Sequence, residues 1–166
     1  MKNFIFRKPK KSDAQEIHAM LQPYKPYVGT SPVYTYLLIC EHFDDTSIVV
    51  TSESDEIVGF ISAYQPPKKQ NTLFLWEVAV KKGYHGNNLN KKMIEKLFNR
   101  INPNYIEATV NPSNQTFIKR LKQLSKNFAC ELSQKVLFAS DHFGTQNHED
   151  EVLFRMGPIQ KNASSI

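Results

Sequence analysis

The chain is poor in the residues that mark specialised scaffolds. It has 2 cysteines among 166 residues, Cys40 and Cys130, and no C-x-x-C pair. That excludes a cysteine-built zinc site and a disulfide-dense framework, and reduced, buried thiols are the expectation. Glycine is scarce too, at 6 residues, and no G-x-G-x-x-G or G-x-x-x-x-G-K-S/T stretch occurs, so neither a dinucleotide fingerprint nor a Walker loop is present. The 5 histidines, at 18, 42, 85, 142 and 148, form no H-E-x-x-H motif and no tight ligand spacing, and no metal is expected. No run approaches the roughly 18 apolar residues that span a bilayer, and the opening MKNFIFRKPKKSDA lacks the apolar core of an export signal, so a cytoplasmic protein without membrane contact is expected. Internal repeats and low-complexity tracts are also missing.

Charge is modest. Against 16 Asp and Glu stand 21 Lys and Arg, a net +5 that admits a polyanionic contact. No helix-turn-helix, zinc-finger or RNA-recognition signature accompanies it, so no nucleic-acid partner is expected. The length and the 40% hydrophobic content suit one domain, placed at residues 1–159, with a short polar tail from Gln160 to Ile166.

The pattern along the chain alternates. Asn3 to Arg7 reads as a strand and Asp13 to Leu21 as a helix capped by Ser12. Val33 to His42 is a second helix, with Val33, Tyr36, Leu37 and Cys40 as its inward stripe. Ser47 to Thr51 and Ile57 to Tyr64 form a hairpin around an acidic turn, and Thr72 to Val80 is a long apolar strand suited to the middle of a sheet. A polar stretch, Lys81 to Asn88, leads into a helix ending near Asn99 with Leu89, Met93, Ile94 and Leu97 on one face. Tyr105 to Val110 is a strand, Thr116 to Ser125 a helix turning Phe117, Leu121 and Leu124 inward, and Glu131 to Phe138 and Glu151 to Met156 are strands. The order β-α-α-β-β-β-α-β-α-β-β predicts an α/β (α+β) fold, a mixed central sheet flanked by helices.

The junction from Val78 to Leu89 bears most directly on function. A strand that runs through a glycine-containing turn into a helix presents unpaired first-turn amides and the positive end of the helix dipole, a setting that holds phosphate. The same arrangement also occurs as plain architecture, and Gly83 and Gly86 then only shape the turn. Two single residues stand out besides. Glu151 opens the last strand, where a carboxylate can bind an amine or take its proton. Trp76, the one tryptophan, lies inside the long strand, and core packing is its simplest reading.

These residues resemble the GNAT acetyltransferases, in which a central strand feeds a pyrophosphate-binding turn. VYTYLLICEHFDDTSIVV (33–50), EIVGFISAYQPP (56–67), LFLWEVAV (73–80) and HEDEVLFRMGP (148–158) are similar, in order and spacing, to the diaminobutyrate acetyltransferases of ectoine biosynthesis. The resemblance implies the GNAT fold and transfer of an acetyl group from acetyl-CoA to the γ-amine of L-2,4-diaminobutyrate, by direct attack of the amine on the thioester. It also implies a homodimer.

By the same resemblance, the backbone of Val78, Ala79 and Val80 receives the pantetheine arm and polarises the acetyl carbonyl. His85, Gly86, Asn87, Asn88, Leu89 and Asn90 hold the pyrophosphate, and Asn114 meets the cofactor arm. Lys81, Lys82, Lys91 and Lys92 add attraction for the CoA phosphates or are a solvated face. Glu151 and Tyr34 are implied as catalytic, and Trp76, Glu151, His148 and Tyr34 as substrate-binding. The family turn carries small residues where this chain has Asn88 and Asn90, and asparagine tolerates left-handed geometry. The loop Gly29-Thr30-Ser31-Pro32 replaces a family stretch bearing an Asp. Two other readings remain open: a GNAT enzyme for another small diamine or amino acid, and a catalytically silent CoA-binding domain.

Overall fold

The computed structural model describes residues 3–160, so the polar tail falls almost wholly outside the described residues. Seven strands and four α-helices follow one another in the expected order: β1 (Ile5–Arg7), α1 (Ala14–Leu21), α2 (Val33–His42), β2 (Ile48–Thr51), β3 (Ile57–Tyr64), β4 (Thr72–Val80), α3 (Leu89–Ile101), β5 (Tyr105–Val110), α4 (Gln115–Asn127), β6 (Leu132–Phe138) and β7 (Glu151–Met156). The sheet order is β1-β2-β3-β4-β5-β7-β6. Within this mixed sheet β1 pairs with β2, β2 with β3, β5 with β7 and β6 with β7, each antiparallel. The chain forms two compact units, Met1–Gln65 with Leu75–Asn102, and Pro66–Phe74 with Pro103–Ile166.

In the first unit β2 and β3 form the expected hairpin, with Val49 opposite Phe60, and β1 adds to its edge with Phe6 opposite Val50. Both hairpin strands are buried almost throughout. Ala14, Ile17 and Leu21 of α1 and Tyr36, Ile39 and Cys40 of α2 close the core around Phe60. At full burial each aliphatic side chain contributes about 1.5–3 kcal/mol.

Local chemistry corrects two expectations here. Ser12 does not cap α1. The Asp13 carboxylate accepts the Lys10 N–H at 2.7 Å and the Arg7 guanidinium at 2.6 and 3.0 Å, so a 3-10 turn occupies Lys11–Asp13 and the α-helix starts one residue later. In α2 the inward arc is Tyr36, Ile39 and Cys40, an i, i+3, i+4 set, and Leu37, a further 100° round the helix from Tyr36, is 38% exposed.

The inward face of α3 is as expected, with Leu89, Met93, Ile94 and Leu97 buried. The helix runs two residues beyond Asn99 and stops where Asn102 turns left-handed (φ 53°), its N–H closing on Phe98 O at 2.7 Å.

In the second unit β7 lies between β5 and β6, with Phe154 opposite both Ala108 and Gln134. α4 buries Ile118, Leu121 and Leu124; Phe117, expected to point inward, is only half-buried because Ile118 takes that arc. Glu107, 1% exposed, sits between two cations, the Lys69 ammonium at 2.8 Å and the Arg155 guanidinium. Of the two thiols Cys40 is buried and Cys130 only half-buried, a correction to the expectation for the latter, and neither is in a disulfide.

Candidate functional site

β4 leads into a turn whose backbone is unusual at three points. Gly83, Gly86 and Asn88 have φ of +92°, +86° and +56°. Only glycine enters the first two without strain, and asparagine is among the few residues that tolerate the third. A Cβ at Gly83 or Gly86 would meet nothing within 4 Å, so the turn faces open space. It is tied down from behind. The Tyr84 N–H donates to Lys81 O at 3.0 Å, the Asn87 amide to Tyr84 O at 2.8 Å, and the His85 ring to Val80 O at 2.8 Å.

Asn88 is the N-cap of α3, yet its side chain caps no N–H. Lys92 N–H makes the first bond back along the helix, to Asn88 O at 3.0 Å, leaving the N–H groups of Leu89, Asn90 and Lys91 without an intrahelical acceptor. Open space, left-handed corners and three spare donors at a helix N-terminus make an anion cradle. Leu89 itself is buried and anchors it from below. The Asn90 Oδ1 is buried without a partner, and as an acceptor oxygen it has nothing to offer an anion, which leaves the backbone N–H as the donor Asn90 presents there.

Half of the lysine run is already committed. Lys81 pairs with Glu56, which also accepts the Tyr84 hydroxyl at 3.0 Å, and Lys91 lies 3.7 Å from Glu95. Lys82 and Lys92 are exposed and, among the described residues, have no carboxylate partner.

The middle of β4 departs from the simple reading. Trp76 is not core: it is 47% exposed, set edge-to-face against Tyr64 with ring centroids 6.2 Å apart. The strand alternates, so Glu77 points the other way and is 6% exposed. Its Oε1 accepts the Gly29 N–H at 3.0 Å and the Tyr36 hydroxyl at 3.2 Å. Burial pushes the Glu77 carboxyl above its ordinary value, against the pull of those two donors. Burial, and then the carboxylate beside it, likewise raise the Tyr36 phenol, which therefore stays protonated and donates. Glu77 and Gly29 were not among the expected site residues. The signal was present: one charged residue in LFLWEVAV, at the inward parity of Leu75 and Ala79.

Ala79 and Val80 are buried and Val78 half-buried at the end of β4, and Val80 O accepts the Tyr24 hydroxyl at 2.9 Å. Tyr34, on the outer side of α2, is 66% exposed.

The second unit holds the remaining expected residues. Glu151, half-buried at the start of β7, accepts the Asn111 amide at 3.0 Å, and His148 Nε2 is 3.7 Å away. The His148 ring stacks on Phe143 with centroids 3.9 Å apart, and its Nδ1 lies 2.7 Å from Glu149 O. These contacts bring His148 and Glu151 together. Asn114 caps α4, its Oδ1 accepting the Phe117 N–H at 3.2 Å. No group of three or more His, Cys, Asp or Glu side chains able to hold a metal occurs among the described residues, and no helix among them is long and apolar enough to cross a membrane.

Residues 14–123 match the model of the acetyltransferase (GNAT) family. The L-2,4-diaminobutyric acid acetyltransferase of Marinococcus halophilus is 34% identical over 162 residues, 96% of this chain and 92% of the relative. That of Virgibacillus pantothenticus is 43% identical over 131 residues, 77% and 82% of the two chains. Among solved structures, the diaminobutyrate acetyltransferase of Paenibacillus lautus, in complex with L-2,4-diaminobutyric acid and coenzyme A, superposes with a TM-score of 0.90 at 28% identity, covering 98% of this chain and 99% of that one.

Proposed function

The chain belongs to the GNAT acetyltransferase family and, within it, to the L-2,4-diaminobutyric acid acetyltransferases, and from that premise we propose that it acetylates the γ-amine of L-2,4-diaminobutyrate with acetyl-CoA, a step of ectoine biosynthesis. The observation that carries this reading is the match, over almost the full length of both chains, to a structure holding that amino acid and coenzyme A. The match favours a single acetyltransferase domain over residues 1–159.

The residues of the β4–α3 turn fit the phosphates of such a cosubstrate. The open faces of Gly83 and Gly86, the left-handed Asn88 and the spare N–H groups of Leu89, Asn90 and Lys91 form a donor-lined hollow that needs no cationic side chain. Bound there, acetyl-CoA supplies an acetyl group already activated as a thioester. The backbone of Val78, Ala79 and Val80 receives the arm, and Asn114 contacts it.

The chain has to bind a cationic amino acid, remove a proton from its amine and steady the negative charge that develops on the acetyl oxygen. Trp76, exposed on β4, offers an aromatic face to the cationic substrate. Glu151, with His148 beside it, is assigned to the amine, as a counter-ion or as the acceptor of its proton. Tyr34 supplies a phenol able to donate a proton. Direct attack requires no acylated residue, in keeping with a chain that shows no nucleophile triad.

We place the enzyme in the cytoplasm and assign it a homodimer. The support for the dimer is β6, an edge strand with Val136 and Phe138 exposed. A second reading, another small diamine or amino acid as substrate, is favoured by the loop Gly29-Thr30-Ser31-Pro32, which carries no carboxylate. A panel of amines incubated with acetyl-CoA and read by mass spectrometry separates the two.

A further inference from the structure

We propose that Glu77 is a positioning residue: it clasps the loop between α1 and α2 against β4 and thereby sets the frame in which the amine substrate is selected. The proposal rests on the acetyltransferase reading above.

Residues 22–32 contain no α-helix and hold 3 prolines, at 23, 26 and 32, and their own backbone pairing is confined to the turn around Tyr24, where the Tyr27 and Val28 N–H groups reach Tyr24 O at 3.2 and 3.4 Å. Three tethers fix the loop. The Gln22 amide, which also donates to His18 O at 3.0 Å, reaches forward to Gly29 O at 3.1 Å and folds the loop on itself. The Tyr24 hydroxyl bonds Val80 O at 2.9 Å, at the end of β4. The Gly29 N–H bonds Glu77 Oε1 at 3.0 Å, in the middle of the same strand.

The Glu77 tether is the one that joins three elements. The same Oε1 accepts the Tyr36 hydroxyl at 3.2 Å, so a single oxygen holds the loop, α2 and β4 together. Gly29 is held close to α1: at φ +77° a Cβ there would sit 2.5 Å from Leu21 O, so the chain turns here with its backbone against the helix and only glycine fits. The exposed candidates for substrate contact are keyed to this clasp. Trp76 precedes Glu77 on β4 and projects to the opposite side, and Tyr34 lies two residues before Tyr36, on the other side of α2. Movement of Glu77 would shift both.

A carboxylate buried to 6% exposure is a costly choice for mere packing. Its hydrogen bonds to a loop amide and a phenol are charge-assisted, stronger than neutral ones and strict in geometry. Burial pushes the carboxyl upward, and these same two donors offset it only in part.

The test compares the wild type with Glu77→Ala, Glu77→Gln and Tyr36→Phe. Hydrogen–deuterium exchange is read on peptides covering 22–32 and, as a control, 89–101. KM is measured separately for acetyl-CoA and for each amine turned over. Loss of the clasp in Glu77→Ala should speed loop exchange and raise the amine KM by about tenfold, with α3 exchange and the acetyl-CoA KM within about twofold of wild type. Glu77→Gln keeps an acceptor oxygen and should restore both, and Tyr36→Phe, which removes the phenol's bonds to Glu77 and Ser31 but leaves the Glu77–Gly29 bond, should fall between. Should Glu77→Ala not fold, the graded order wild type, Glu77→Gln, Tyr36→Phe decides. Unchanged loop exchange overturns the clasp, and a loosened loop with unaltered amine KM and amine preference overturns its role in selection. A wild type that turns over no amine refutes the acetyltransferase reading and, with it, selection, while the exchange comparison still judges the clasp.

Discussion

The ring Nε2 of His85 lies 2.8 Å from the carbonyl oxygen of Val80, which also accepts the Tyr24 hydroxyl at 2.9 Å. A carbonyl only accepts, so the ring nitrogen is the donor, and one oxygen at the end of β4 ties the β4–α3 turn and the α1–α2 loop to the same strand. His85 thus works from behind the cradle. His85→Ala should weaken coenzyme A binding by about fivefold, the worth of one hydrogen bond near 1 kcal/mol, with the amine KM unchanged. Calorimetry with coenzyme A reads the first effect and steady-state kinetics the second.

The turn's backbone makes a sharper distinction. Gly83 and Gly86 sit at φ +92° and +86°, and Asn88 at +56°. Gly86→Ala should cost about 1–2 kcal/mol of stability and also lower coenzyme A affinity, because the strain arises in the cradle itself. Asn88→Gly should leave stability within about 1 kcal/mol of wild type and keep coenzyme A binding, since glycine enters the same region freely. Urea denaturation and calorimetry on the two variants check the contrast, and equal losses in both would contradict it.

Trp76 and Glu151 are predicted to separate substrate binding from fold and cosubstrate. Trp76 is 47% exposed, so Trp76→Ala should move the melting temperature little while raising the amine KM by about tenfold, the range of an aromatic contact with a cation. Glu151→Gln should lower kcat/KM for the amine by at least about a hundredfold, the scale of a lost proton acceptor. In both variants coenzyme A binding should stay as in the wild type.

Element types and most bounds were legible because periodicity reports packing directly. β3, β4, β5, β7 and α2 lie where their patterns put them, and the inward face of α3 is the expected one. What could not be read was set by partners distant in sequence. Asp13 shifts the start of α1 because Arg7 of β1 is its partner, and Ile39 replaces Leu37 because the core lies to one side of the expected stripe. Trp76 shows the same limit from the other direction. An aromatic residue inside an apolar strand fits a core, and only the parity that puts Glu77 inward puts Trp76 outward. The glycine-cornered turn before α3 was visible in Gly83, Gly86 and the helix after them, whereas the Glu77–Gly29 bond joins residues 48 positions apart.

Two carboxylates should give pH profiles of opposite sign. Burial alone would raise Asp13, but the Arg7 guanidinium and the Lys10 N–H outweigh it and hold the group below its usual 3.8. Its stabilisation is therefore complete above that value and is lost as pH falls through the folded-state value, so the deficit of Asp13→Asn should shrink in acid. Glu77 is raised above its usual 4.5, chiefly by burial, so the folded protein bears a penalty that is absent below 4.5 and grows as pH rises through the folded-state value. Glu77→Gln should gain stability relative to wild type over that rise. Denaturation midpoints for both variants, measured against wild type from about pH 2 to 8, read the two slopes.

The most direct test of the central claim is the reaction itself. Purified protein incubated with acetyl-CoA and L-2,4-diaminobutyrate should release coenzyme A in step with a monoacetylated product, which fragmentation in the mass spectrometer places at the γ-nitrogen. A folded protein that binds coenzyme A yet leaves this amino acid untouched, while acetylating another amine or none, would contradict the account.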